Sequence, residues 1–170
     1  MYKKVSGSIV VFLVLYVDDI LLIGNDIPAL AKVKQWLGKC FAMKDLGEAE
    51  TILGIKISRD RSLQLLGLSQ ENYTDKTLRR FSMDGTNKGF LPMHHGLILN
   101  KAQSPSTKED REYMSKIPYA SAIGSIMYAM LCTRPNVVLA LSMTSRFQQD
   151  PGEEHWTTVK AILKYLRRTK

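Results

Sequence analysis

The chain is short of cysteine and has no acidic residue at either end. Cys40 and Cys132 are its only thiols in 170 residues, far apart and each in an apolar stretch. That predicts two buried free thiols in a reducing compartment and excludes a disulfide-stapled or zinc-stapled domain. Residues 1–17 contain neither Asp nor Glu, and none follows Glu154. With 24 Lys and Arg against 16 Asp and Glu, the net charge is +8, a balance that favours a polyanionic partner. No apolar run reaches the ~20 residues a membrane span needs. The run 9–17, behind Lys3 and Lys4, imitates a secretory leader, but it ends in Asp18-Asp19 and no small-x-small cleavage site follows. An intracellular protein, cytoplasmic or nuclear and without a membrane partner, is expected. Phosphate-cradling glycine loops and Ser-His-Asp or Cys-His nucleophile sets are missing too. His94 and His95 are neighbours with no third ligand at useful spacing, so they are expected to be plain loop residues.

Hydrophobic residues make up 45%, enough for one ordinary domain or part of a larger one. The β-branched run 9–17 predicts a buried strand, and 20–23 a second one. Only Asp18 and Asp19 lie between them, the spacing of a tight hairpin with the aspartates at its tip. Asp26 followed by Pro28 predicts a helix start, with Leu30, Val33, Leu37 and Phe41 at helical spacing and Trp36 as a core anchor beside them. Asp45, before Gly47, reads as a turn residue. Residues 51–68 alternate as a second hairpin, and Ser69 is placed to cap a helix over 70–81. Residues 84–112 show no periodicity and read as a long connection. Helices are expected over 119–131, 136–147 and 153–168. Met127 and Met130 are expected as core filling, Asn136 as a cap, and Trp156, Val159, Leu163 and Leu166 as one buried face with His155 structural beside it.

Paired carboxylates in an apolar setting repel each other and are costly to bury unless a cation neutralises them. At a hairpin tip facing a cleft they make a hard oxygen site suited to Mg²⁺ or Mn²⁺. Such a site suits phosphoryl or nucleotidyl transfer with two metal ions, and it normally needs a third acidic ligand.

The stretch LYVDDILLIGND resembles the catalytic hairpin of reverse transcriptases. FAMKDLGEAETILGIKI, LSQENYTDKTLRRF, IPYASAIGSIMYAMLCTRPNV and DPGEEHWTTVKAILKYLRRT resemble the successive blocks of copia-type LTR retrotransposon polyproteins, in order and over nearly the whole chain. The resemblance implies an α+β, partial right-hand polymerase that transfers nucleotides from dNTP to a primer 3′-OH with Mg²⁺ or Mn²⁺. It implies the C-terminal palm over 1–68, a thumb-like helix over 69–83, a loop-rich connection over 84–118, and thumb and connection helices over 119–170 leading towards ribonuclease H. It makes Asp18 and Asp19 catalytic metal ligands and sets Tyr16 and Val17 beside the primer terminus and incoming nucleotide. The implied partners are an RNA template, an RNA–DNA hybrid, dNTP and the remaining polyprotein, in a cytoplasmic virus-like particle or the nucleus. The basic residues Lys76, Arg79 and Arg80, and Lys160, Lys164, Arg167 and Arg168, would hold the template–primer by its phosphates. In two places the chain departs from the family pattern. The family's third catalytic aspartate lies on an upstream strand, whereas the first acidic residue here is Asp18. Asn136 stands where aspartate is usual.

The missing aspartate, with the fingers absent as well, predicts that this polypeptide alone is inactive, while Asn136 can still serve as a cap. A non-catalytic nucleic-acid-binding remnant is the second expectation. A third is a Mg²⁺-binding receiver-type signalling domain, in which an Asp pair also follows the first strand. That fold needs a helix directly after the pair, so a hairpin over 17–24 excludes it.

Overall fold

Two three-stranded antiparallel sheets and six α-helices make up the computed structural model, which describes residues 1–170. The class is α+β, as expected. The chain divides into two compact units, Met1–Glu50 and Thr51–Lys170.

In the first unit, β1 (Tyr2–Ser6), β2 (Ile9–Tyr16) and β3 (Asp19–Gly24) pair in the order β1-β2-β3. β1 was not expected from the sequence. Gly7, at φ +59°, supplies the left-handed turn that folds Lys3 and Lys4 back on β2. α1 (Ile27–Cys40) starts where Asp26 accepts a hydrogen bond from the Ala29 amide at 2.7 Å. It packs on the sheet face that carries Val11 and Gly24, which lie opposite each other in the ladder. A Cβ at Gly24 would sit 3.1 Å from Leu30 Cδ2, so the missing side chain lets helix and strand close up. Leu37 is buried, but Trp36 is 59% exposed and is not a core anchor. Burying one stripe of a helix needs only every third or fourth residue, and Trp36 lies outside that stripe. Cys40 is exposed and Cys132 only partly buried, so both thiols are free but neither is a core residue. Asp45 is a turn residue: it accepts from the Gly47 amide and pairs with Lys34, both at 2.9 Å.

The second unit begins with β4 (Thr51–Ile52), β5 (Ile55–Asp60) and β6 (Leu65–Ser69), ordered β4-β5-β6. α2 (Glu71–Arg80) follows, its first amide bonded to Ser69 Oγ at 3.2 Å. α3 (Lys108–Ser115), capped by Thr107, lies partly inside the expected connection. α4 (Tyr119–Cys132), α5 (Val138–Ser145) and α6 (Glu153–Thr169) close the core. Ile126, Val159, Ile162 and Leu163 are wholly buried there, and Trp156 anchors it as expected. Tyr119 crosses the core to donate to the Thr144 carbonyl at 2.8 Å, and burial raises its phenol pKa well above the usual value. Met130 packs against this core, whereas Met127 is exposed. Asn136 caps nothing: α5 has Val137 at its cap position, and the Asn136 amide bonds the Tyr165 hydroxyl of α6 instead. No helix is long and apolar enough to cross a membrane.

His155 is wholly buried at the start of α6, stacked on Phe147 with ring centroids 4.0 Å apart. The Gly152 amide lies 2.8 Å from its Nδ1, and the Asn100 carbonyl 3.2 Å from its Nε2. An amide can only donate and a carbonyl only accept. The imidazole is therefore neutral, with its proton on Nε2. Desolvation lowers its pKa below the ordinary value of 6.5, while Asn100 and the charges of Glu154 and Asp150 pull the other way. With the folded pKa depressed, the unfolded chain binds the proton more readily. The stability that His155 contributes is full above the unfolded pKa and is lost as pH falls below it, towards the folded value. The urea midpoint of the helical unit is expected to fall between neutral pH and about pH 5. His155→Asn, which keeps an acceptor near Nδ1 but cannot titrate, should flatten that slope. An equally steep slope in the variant rules the mechanism out.

Candidate catalytic hairpin and basic helix faces

β2 is the central strand and β3 an edge strand of the first sheet, paired from Val11 opposite Gly24 to Tyr16 opposite Asp19. Only Val11 of the two is buried, so both runs form strands but neither is the buried strand expected, because a three-stranded sheet with one helix packed on it leaves most of these side chains half-buried or exposed. The two-residue loop is Val17-Asp18, one residue earlier than the expected Asp18-Asp19 tip. Asp18 is the tip residue, and Asp19 is the first residue of β3. Facing Tyr16 across the ladder, Asp19 shares its side of the sheet with Tyr16, Val14 and Leu21.

The positive φ that a two-residue hairpin requires falls on Val17, at +47°. A β-branched residue in this region is a backbone outlier costing of order 1–3 kcal/mol, and such strain is characteristic of functional sites. A hairpin at this position excludes the receiver-type domain, which needs a helix directly after the pair.

Tyr16, Val17, Asp18 and Asp19 are all exposed. Two adjacent carboxylates are the right kind of donor for Mg²⁺ or Mn²⁺. They fall short in number, since no group of three or more His, Cys, Asp or Glu side chains in the chain could hold a metal ion. His94 and His95 are exposed loop residues and take no part in such a group.

The basic residues lie on two packed helices of the second unit. Lys76, Arg79 and Arg80 are spaced i, i+3, i+4 and exposed along one side of α2. Lys160, Lys164, Arg167 and Arg168 follow i, i+4, i+7, i+8 along α6, beside the stripe of Val159, Leu163 and Leu166 that faces the core. Lys170 closes the helix pair by bonding Asp75 of α2 at 2.5 Å.

The family model for reverse transcriptase (RNA-dependent DNA polymerase) matches residues 1–95, more than half the chain and including the whole hairpin. The chain belongs to the reverse transcriptase family. It is 48% identical, over 99% of its length, to a retrovirus-related Pol polyprotein from transposon TNT 1-94 of Nicotiana tabacum. It is 32% and 33% identical, over 96% of its length, to the Pol polyproteins from transposons RE2 and RE1 of Arabidopsis thaliana. The chain spans only 13%, 11% and 10% of these three relatives. These matches agree with the copia-type retrotransposon reverse transcriptase region expected from the sequence. No solved structure matches the chain.

Proposed function

We propose that this chain forms the C-terminal palm and the following thumb and connection helices of a retrotransposon RNA-directed DNA polymerase. The observation that carries this is the strained β2–β3 hairpin, which presents Asp18 and Asp19 to solvent at the end of an apolar ladder. On this reading residues 1–68 are palm, 69–83 a thumb-like helix, 84–118 a connection and 119–170 helical thumb and connection. Asp18 and Asp19 supply two of the carboxylates that hold the catalytic cations. When bound, divalent cations activate the primer hydroxyl and stabilise charge on the phosphoryl and leaving oxygens. The ladder fixes where Asp19 stands, and Tyr16 opposite it and Val17 at the tip bound the space for primer terminus and nucleotide. Lys76, Arg79, Arg80, Lys160, Lys164, Arg167 and Arg168 hold the template–primer through its phosphates, a contact indifferent to sequence and weakened by salt.

Two carboxylates are not a complete set, so the 170-residue chain is expected not to extend a primer on an RNA template with Mg²⁺ or Mn²⁺. Template-dependent extension by the purified chain would overturn that. The second reading, binding without chemistry, is favoured by the same missing ligand together with the two basic helix faces. Salt-sensitive retention of an RNA–DNA hybrid in a gel shift supports it, and failure to bind at low salt counts against it.

A further inference from the structure

The connection after α2 does more than join two helices. From Gly85 to Lys108 it holds no acidic residue, and the part of α6 that it crosses, beyond Glu154, holds none either. The Gly89 amide donates to the Lys164 carbonyl at 2.9 Å. A Cβ at Gly89 would lie 3.0 Å from both Lys164 Cβ and the Tyr165 nitrogen, so the loop backbone runs flush against the basic helix. The next residue, Phe90, is 75% exposed. The Arg168 guanidinium lies over its ring, 3.8 Å from the centroid. An aromatic this exposed gains little from burial, so packing does not account for it. Lys88 is exposed two residues before it, and Arg167 and Lys164 neighbour Arg168 on the helix.

We propose that Phe90, braced by Arg168, is a stacking platform for a base in an unpaired stretch of RNA whose phosphates lie along Lys88, Lys164 and Arg167. An exposed aromatic ring in an acid-free basic strip is the arrangement single-stranded nucleic acid requires. The ring takes a base face without regard to sequence, and the cations follow the backbone. A membrane surface would use the charge but has no flat face for the ring to stack on, and a folded acidic protein offers such faces singly rather than in the regular phosphate-linked series that a basic strip beside a ring matches. The proposal rests on the reading that the basic face of α6 holds nucleic acid, and it adds to that face a contact with the bases themselves.

The test is fluorescence anisotropy of the full chain with a labelled oligoadenylate RNA and with an abasic ribose-phosphate strand of equal length and charge. The intact chain is expected to bind the oligoadenylate more tightly. Phe90→Ala should weaken that binding about tenfold and leave the abasic strand's affinity unchanged. Phe90→Tyr should restore it. Phe90→Leu, which keeps an apolar side chain without a π face, should behave like alanine and guards against a loop disturbed by truncation. If Phe90→Ala binds oligoadenylate as tightly as the parent, the stacking platform is overturned. The phosphate-binding reading then still stands if Lys164→Ala weakens both strands. No salt-sensitive binding to either strand overturns both.

Discussion

Gly152→Ala is expected to destabilise the helical unit by about 3 kcal/mol, at or beyond the upper end for overpacked sites. In a chain of this size that corresponds to a fall in melting temperature of roughly 6–12 °C. Gly152 sits at the head of α6, and its backbone angles suit any residue, so no conformational preference explains the glycine. The reason is proximity. A Cβ there would lie 1.7 Å from the Gln103 carbonyl oxygen and 2.9 Å from the Gln103 carbonyl carbon, distances that no side chain can relieve because the obstacle is backbone. Gln103 cannot easily withdraw. Its side chain bonds Glu154, the Ser104 hydroxyl donates to the Asp150 carbonyl at 2.7 Å, and His155 reaches the Asn100 carbonyl. Accommodating one methyl group means breaking this clasp or shifting α6, whose Trp156, Val159 and Leu163 fill the core. Gly124 is the control, being exposed on α4 with nothing within 4 Å of its Cβ position. Gly124→Ala should stabilise the unit by up to about 1 kcal/mol through helix propensity alone. Urea titrations followed by helical circular dichroism compare the two, and equal midpoints for Gly152→Ala and the parent would refute the clasp.

That clasp is not visible in the sequence, because it joins residues about fifty positions apart through backbone atoms that carry no residue code. What was legible follows a period. The positions of β2 and β3, though not the burial expected of them, the Asp26 cap, and the buried stripe of α6 rest on local patterning that the tertiary structure keeps. Losses came where pattern and packing part company. Trp36 sits beside the apolar face in the sequence pattern, but Leu37 already fills that turn of α1. β1 was hidden because its two lysines look like the start of a leader, while the signal for it was the Ser6-Gly7 pair ahead of the apolar run. α3 carries charges at five consecutive positions, Lys108 to Glu112, with Met114 as its buried residue, so hydrophobic periodicity could not find it. Its local marks are the Thr107 cap, accepting from the Asp110 amide, and the acidic first turn of Glu109 and Asp110. In the candidate site, the residue types alone identified the carboxylate pair. The register did not follow from them, since valine is among the least suited residues for positive φ, and pairing along the whole ladder decides the tip. Nothing in a non-periodic stretch tells an exposed ring braced by a distant arginine, such as Phe90, from an ordinary loop residue.

Asp18→Asn and Asp19→Asn, placed separately in a polymerase assembled from this chain and the upstream part of the polyprotein proposed to carry it, are each expected to lower primer extension by roughly a thousandfold. Charge stabilisation by a well-held cation contributes several kcal/mol, and each 1.36 kcal/mol is tenfold in rate. Asparagine keeps the size of aspartate and one oxygen donor but removes the negative charge that retains a hard cation. The hairpin itself should survive. Both positions are exposed, and the ladder from Val11 to Tyr16 is held by backbone pairing that neither side chain enters. Template–primer affinity at low salt should also survive, because the proposed function assigns it to the basic residues of α2 and α6. The expected signature is therefore a collapse in rate with binding retained. Each loss should be only partly rescued by Mn²⁺, which tolerates a weakened oxygen set better than Mg²⁺ with its strict octahedral demand. The two positions need not behave identically. Asp19 is fixed by its place opposite Tyr16, whereas Asp18 rides on a turn strained at Val17, so a small displacement of the turn moves Asp18 first. If either variant extends primers at the parental rate, that carboxylate is not a ligand. If both do, the hairpin is a structural turn, and the case for this chain's part in nucleotidyl transfer falls with it.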